Sequence, residues 1–192
     1  MLVSCSEGRI HRTQRLGFVL PIIVLVGMVA GTVGAAVFHA RDEAMSLAFP
    51  HADRIEPRDF FLTPAQRSEI EGQAKSAIES DLLTVYVGHR NGSVVGYAIL
   101  DTHVVRTLPE TLLIVLGADG RVTATYVLAF YEPTEYMANE QWLRQFGDRR
   151  HAKDLKVGGE IAAITGSTLT SHAVTAAVRR ALAIYDVLVR SE

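Results

Sequence analysis

The sequence predicts an α+β fold, with an N-terminal transmembrane helix followed by one domain that has an antiparallel sheet packed by helices. Two stretches rich in β-branched and aromatic residues are each divided by a turn dipeptide, Asn91-Gly92 and Asp119-Gly120, a pattern typical of β-hairpins. Helix-periodic segments lie before and after the hairpins. An uncharged apolar run near the N-terminus, from Gly17 to Phe38, adds the membrane helix.

Composition limits what the chain does. Its 192 residues carry a formal net charge of −2, and 48% of them are hydrophobic, which suits one domain plus an extra element and argues against a nucleic-acid partner. The single cysteine, Cys5, excludes an intrachain disulfide, an all-cysteine iron–sulfur site and a Cys-x-x-Cys-His haem attachment. Any redox centre is therefore expected to be a bound organic cofactor, and we predict no metal site.

The apolar run is long enough to cross the roughly 30 Å hydrocarbon core of a bilayer as a helix. Arg9, Arg12 and Arg15 precede it, and charges of mixed sign follow it. By the positive-inside rule, residues 1–16 form a cytoplasmic tail, residues 17–39 cross the cytoplasmic (inner) membrane once, and the C-terminal domain is extracytoplasmic. A cleaved signal peptide is the alternative, which the length of the apolar run disfavours.

The remaining chain divides into a connector and the domain. Residues 40–62 show little periodicity and are predicted to be a juxtamembrane connector whose Phe49, Phe60 and Phe61 dock on the domain at 63–192. Thr63 begins a capping box, which predicts a helix to about Ser80. About four strands follow, predicted at Leu82–Val87, Val94–Leu100, Thr111–Leu116 and Val122–Phe130.

Two helices are predicted after the sheet. Asn139 is expected to cap a short one that contains Trp142 and ends near Gly147. Trp142 is a candidate to cover a flat cofactor ring, although core packing is the commoner role of such an aromatic. The segment from His172 to Val189 predicts an amphipathic helix that packs on the sheet. His103 is expected to be a structural hydrogen bonder.

The segment from Thr165 to Ser171 holds five hydroxyl side chains around Gly166, directly before the last predicted helix. The start of a helix presents unpaired backbone N–H groups and the positive end of the helix dipole, which together hold a phosphate. Helix capping alone also explains such residues. However, one cap does not need five hydroxyls.

Within this segment, Thr165-Gly166-Ser167-Thr168 resembles the Ser/Thr-Gly-Ala-Thr motif of the FMN-binding domain family, which includes one subunit of the sodium-pumping NADH:quinone reductase and one of the Rnf complex. The resemblance implies that Thr168 carries FMN through a phosphoester bond, installed by a flavin transferase that uses FAD. It also implies a cofactor site formed by the neighbouring residues Thr165, Gly166, Ser167, Leu169 and Thr170. The chain departs from the family in having Ser167 for alanine and Ala162 for an aspartate.

A further candidate is Glu132, which resembles the acid of a Glu-Thr-Pro-Gly segment that lies near the flavin in this family. Together with the predicted topology, the resemblance implies a membrane-anchored extracytoplasmic flavoprotein that relays electrons between other subunits or carriers of a redox chain, with no catalytic residue of its own. A flavin-free tethered binding or assembly module is the alternative, and Ala162 favours it. A serine-type hydrolase ranks last, because Gly-x-Ser-x-Gly is absent.

Overall fold

A computed structural model describes residues 36–37 and 41–191 of the chain. The predicted cytoplasmic tail and transmembrane helix lie outside these residues, apart from Ala36 and Val37, which pair with another strand. No helix within the described ranges is long and apolar enough to cross a membrane.

The described chain forms an α+β domain with a six-stranded sheet in which each neighbouring pair of strands is antiparallel, in the order β1-β6-β5-β4-β3-β2. The strands are β1 Ala36–Val37, β2 Arg54–Phe61, β3 Leu82–Arg90, β4 Ser93–Val104, β5 Pro109–Gly117 and β6 Val122–Phe130. The helices are α1 Arg41–Ala48, α2 Pro64–Ala74, α3 Glu140–Leu143 and α4 Thr168–Ile184. A π-helical turn, Tyr185–Val189, extends α4, and short 3₁₀ turns lie at Thr134–Tyr136, Arg144–Phe146 and Ala152–Asp154.

Both predicted hairpins are present. Asn91 and Gly92 have φ values of 51° and 76° and join β3 to β4, as a tight turn of this kind requires. Gly120, with φ 77°, lies in the connection between β5 and β6. The two hairpins also pair with each other through β4 and β5, so the middle of the sheet follows chain order.

The prediction for residues 40–62 was wrong, because the domain begins earlier than Thr63. Residues 41–61 contain α1 and β2, and β2 pairs with β3 along its whole length. As an edge strand β2 is mostly exposed, so it lacks the alternation of a half-buried strand and tolerates Pro57. Phe49 is buried as expected, whereas Phe61 is 79% exposed.

Helices cover the two faces of the sheet unequally. The larger core lies between one face and helices α2, α3 and α4, with Leu112, Ile114 and Leu182 fully buried. The smaller core lies on the other face, where Ala44 and Met45 of α1 contribute. Because α4 supplies much of the larger core, its position against the sheet is fixed by apolar burial.

The ends of two helices differ from the prediction. The capping box at Thr63 is present, with Gln66 N donating to Thr63 Oγ1 at 3.3 Å, but α2 ends at Ala74 rather than near Ser80. Lys75 stops it by adopting a left-handed conformation at φ 54°. The last helix begins at Thr168 rather than at His172. Its first turn therefore consists of the hydroxyl-rich residues that were expected to precede it.

Candidate functional site

Thr168 is the first residue of α4 and is exposed. In the described part of the chain, no side chain caps this helix start, so the first amides of α4 keep their capacity to bind an acceptor. Gly166, two residues earlier, has φ 81°, and no heavy atom lies within 4 Å of the place where a Cβ would stand. The helix start is thus reachable by a ligand and by a modifying enzyme, and the helix dipole favours an anion there.

Two hydroxyls in the first turn of α4 hold the helix start in place. Thr170 Oγ1 donates to the carbonyl of Tyr136 at 2.7 Å. Ser171 Oγ accepts from Ile164 N at 2.8 Å and donates to the carbonyl of Ser167 at 3.1 Å. The Thr170 proton is therefore already engaged in a hydrogen bond within the protein.

A cavity of about 240 Å³ opens beside Thr168. Three segments line it: the tip of the β4–β5 hairpin, the segment after β6, and the start of α4. The lining residues are Val105, Arg106, Glu132, Tyr136, Gly166, Ser167, Thr168, Leu169 and Thr170. Glu132 therefore meets the motif in space, and Leu169 contributes an apolar side chain that is 51% exposed. Thr165 and Trp142 are not among the lining residues.

Glu132 fastens the hairpin tip. Its Oε1 accepts from the backbone N–H groups of Thr107 at 2.7 Å and Leu108 at 2.8 Å, and from the Thr107 hydroxyl at 3.2 Å. The hydrogen bonds from the Thr107 and Leu108 amides lower the pKa of Glu132 below its ordinary value. This carboxylate is therefore ionised at neutral pH, and it positions a wall of the cavity.

Trp142 belongs to the core rather than to the cavity. It is 9% exposed, and its ring packs edge-on against Phe146 with the centroids 5.4 Å apart. Its Nε1 donates to the carbonyl of Ala162 at 2.6 Å, while Ala162 N donates to Gln145 Oε1 at 2.8 Å. The α3 region therefore holds the chain just before the motif, at the position where the family has an aspartate.

A largely buried charge cluster lies at the base of the same hairpin. Asp101 accepts two hydrogen bonds from the Arg180 guanidinium, at 2.6 and 2.8 Å. His103 lies between two carboxylates, with Nδ1 2.8 Å from Asp101 and Nε2 3.1 Å from Glu110. Because both ring nitrogens face carboxylate oxygens, this geometry fits the imidazolium.

The pKa values in the cluster agree with that geometry. Burial alone would raise the pKa of Asp101, but its hydrogen bonds with His103 and Arg180 hold it at about 2. Burial alone would lower the pKa of His103, but its hydrogen bonds with Asp101 and Glu110 raise it above its ordinary value. His103 is thus the structural hydrogen bonder that the sequence predicts. The cluster ties the hairpin to α4.

Arg106 and Tyr136 line the cavity, although neither is among the site residues expected from the sequence. The Arg106 guanidinium lies over the Tyr136 ring, 5.7 Å from its centroid. Only the tertiary fold brings the hairpin tip to the start of α4. The sequence around Arg106 therefore does not indicate that this residue belongs to the site. Tyr136 is indicated only because it lies close to Glu132 in the sequence.

Comparison with known proteins identifies the family of the chain. The model of the FMN-binding domain family matches residues 108–183, a range that includes Glu132 and the whole motif. A relative from Acetobacterium woodii, a subunit of the Na(+)-translocating ferredoxin:NAD(+) oxidoreductase complex, is 30% identical over 188 residues, which cover 90% of this chain and 91% of the relative. FMN is thus the cofactor, and the chain belongs to the FMN-binding domain family.

Proposed function

We propose that this protein is an electron-transfer subunit of a membrane redox complex, with FMN joined to Thr168 by a phosphoester bond. The observation that carries the proposal is the exposed Thr168 hydroxyl at an uncapped helix start, in the wall of a cavity shared with Glu132 and Arg106. The relative from Acetobacterium woodii is named as part of a complex that uses ferredoxin and NAD(+). Its similarity along nearly the whole chain supports a comparable place for this protein.

The residues of the cavity fit an FMN group. The first amides of α4 and the helix dipole suit its phosphate, while Gly166 leaves space for it. Leu169 and Tyr136 offer apolar and aromatic surface to the isoalloxazine ring. When bound, FMN supplies one- or two-electron exchange, and the protein holds, orients and electrically tunes it.

Attachment needs a second protein, because a threonine hydroxyl is a weak nucleophile at neutral pH. A flavin transferase would position FAD and a metal ion against Thr168. The Thr168 oxygen then forms a bond to the FMN phosphorus, the pyrophosphate bond of FAD breaks, and AMP leaves as the hydroxyl loses its proton. The exposure of Thr168 makes it accessible to such an enzyme.

The proposed location is the cytoplasmic membrane, with the N-terminus in the cytoplasm and the FMN-binding domain outside. It rests on the uncharged run from Gly17 to Phe38 and on the arginines before it. An alkaline phosphatase fused to the C-terminus is expected to be active, whereas a reporter that works only in the cytoplasm is expected to be silent. The opposite pattern would overturn this topology.

The linkage is tested by replacing Thr168 with valine, which keeps the shape of the side chain and removes its oxygen. Wild-type protein made beside a flavin transferase is expected to fluoresce in a denaturing gel, and Thr168→Val is expected to lose that signal. Thr123→Val is the matched control, because Thr123 is also an exposed threonine but lies on β6, outside the motif and the cavity, so it is expected to keep the signal. Fluorescence that persists in Thr168→Val would place the linkage on another hydroxyl.

FMN held without a covalent bond is the second candidate, because Ala162 stands where the family has an aspartate. Restoring the acid with Ala162→Asp separates the two. If wild-type protein gains no covalent flavin and Ala162→Asp does, this chain holds its FMN without the phosphoester bond.

A further inference from the structure

Arg106 presents its side chain at the wall of the cavity. It is exposed, its guanidinium lies over the Tyr136 ring, and no carboxylate among the described residues forms an ion pair with it. Arg180 and Arg150 differ from Arg106 in this respect, since each is paired with an aspartate whose side chain is no more than 10% exposed. Arg106 is therefore a cation in the cavity wall that is available to a ligand.

The backbone that carries Arg106 is held firmly. Glu132, which is only 5% exposed, accepts the next two backbone amides of the loop, and Val105 N donates to the carbonyl of Leu108 at 3.1 Å. Below the loop, His103 and Glu110 face each other across β4 and β5. The held backbone fixes the point from which the Arg106 side chain extends, so the guanidinium stays within reach of the cavity.

We propose that Arg106 is a flavin-binding residue that faces the isoalloxazine ring and stabilises the negative charge that reduction places on it. The inference deepens the proposed function, since it needs FMN in the cavity beside Thr168. Uptake of two electrons and one proton converts the neutral oxidised ring to a reduced ring with one negative charge. A guanidinium within about 4–6 Å favours that charged form.

The ring, rather than the phosphate, is the group that Arg106 meets. A phosphate bound to Thr168 already has the α4 amides as donors, at a different wall of the cavity. Arg106 belongs to the wall that also contains an aromatic side chain. A guanidinium stacked on an aromatic ring presents a flat, positively charged surface, which suits a planar ring that becomes anionic.

The test is an anaerobic potentiometric titration of full-length protein loaded with FMN, with a low-potential dye as the reductant. Arg106→Gln is expected to lower the ratio of reduced to oxidised flavin at a fixed potential by about tenfold, which is about 30 mV for a two-electron couple. Arg106→Lys is expected to keep most of the wild-type ratio. An Arg106→Gln midpoint equal to that of the wild type would overturn the proposal.

Arg54→Gln is the matched control, because Arg54 is an exposed arginine on the edge strand β2 and does not line the cavity. Its midpoint is expected to equal that of the wild type. An equal shift in both glutamine variants would assign the effect to net charge and overturn a specific role for Arg106.

A second measurement tests whether Arg106 contacts the isoalloxazine ring or the phosphate, and it does not depend on the covalent bond. Thr168→Val protein is titrated with free FMN and with riboflavin, each under reducing conditions. Adding Arg106→Gln to this protein is expected to weaken the binding of both reduced flavins by the same factor. If the binding of FMN alone is weakened, Arg106 binds the phosphate and the proposal is wrong. Protein that takes up FMN only non-covalently would contradict the Thr168 linkage, yet the potentiometric titration would still decide the role of Arg106.

Discussion

Replacing Asp101 with alanine is expected to lower the free energy of unfolding by about 3–5 kcal/mol, because the change leaves buried cations without their counter-charge. Asp101 accepts two hydrogen bonds from Arg180 and one contact from His103, and these three side chains are only 9–13% exposed. Hydrogen bonds to charged groups contribute about 1.5–3 kcal/mol each, so a simple sum gives more than the expected loss.

The expected loss is smaller than that sum because the two cations respond differently. His103 can release its proton and keep a hydrogen bond to Glu110. Arg180 stays charged and, among its partners in the described residues, keeps the bond to Ser76 Oγ at 3.2 Å. The double variant Asp101→Leu/Arg180→Met replaces the pair with apolar side chains and is expected to recover most of the stability.

The assay is urea denaturation at pH 7, followed by the fluorescence of Trp142, which is the only tryptophan of the chain and is buried. Asp119→Ala is the matched control, since Asp119 pairs with Arg121 at 3.3 Å but both side chains are more than half exposed. That loss is expected to stay below about 1 kcal/mol. If Asp101→Ala costs no more than Asp119→Ala, the buried cluster does not hold the hairpin to α4.

Three further outcomes are expected. The pKa of His103 is raised on folding, so its stabilising effect is complete below about pH 6.5 and is lost as the pH rises through the folded-state pKa. The urea midpoint of the wild type should therefore fall over that pH range, and the midpoint of His103→Gln should change less. Gly120→Ala should lower the free energy of unfolding by roughly 2 kcal/mol or more, since the new Cβ would lie 2.1 Å from the Tyr185 ring. Gly92 has φ 76° and open space around it, so Gly92→Ala should lower that free energy by only about 1 kcal/mol, the cost of the backbone conformation. Equal losses of the urea midpoint would contradict the steric reason. Glu132→Ala should speed hydrogen exchange at the Thr107 and Leu108 amides, which the Glu132 carboxylate binds. The wild type should show the same change in acid, since the lowered pKa of Glu132 gives stability that is lost as the pH falls through the folded-state pKa. Unchanged exchange would mean that another contact fixes the loop.

Local chemistry explains which elements the sequence predicts well. Asn91-Gly92 specifies a tight turn through backbone angles that few residues accept, and Thr63 and Asn139 cap helices through bonds to residues three positions away. By contrast, β2 pairs on one side only and has no alternating pattern. Its strand character comes from β3, so no pattern within residues 54–61 predicts it.

In the candidate site, too, the sequence predicts features that are local in the chain better than contacts that the fold creates. The motif from Thr165 to Thr168 is contiguous, so its resemblance to the family is visible in the sequence. Arg106 joins the same cavity only because the hairpin tip meets the start of α4 in the folded domain. Trp142 appears in sequence as an aromatic near the site, but its burial and its bond to Ala162 depend on packing. The sequence therefore missed Arg106 and misplaced Trp142, whose surroundings depend on the tertiary fold, whereas the family resemblance indicated Glu132.

The intact mass of the full-length protein, made with and without a flavin transferase, tests the central claim most directly. Co-production is expected to add the mass of one FMN less one water, and fragmentation is expected to place the addition on Thr168. Protein made without the transferase is expected to have the mass of the unmodified chain. An unchanged mass beside an active transferase, or an addition on a different residue, would contradict the proposed linkage.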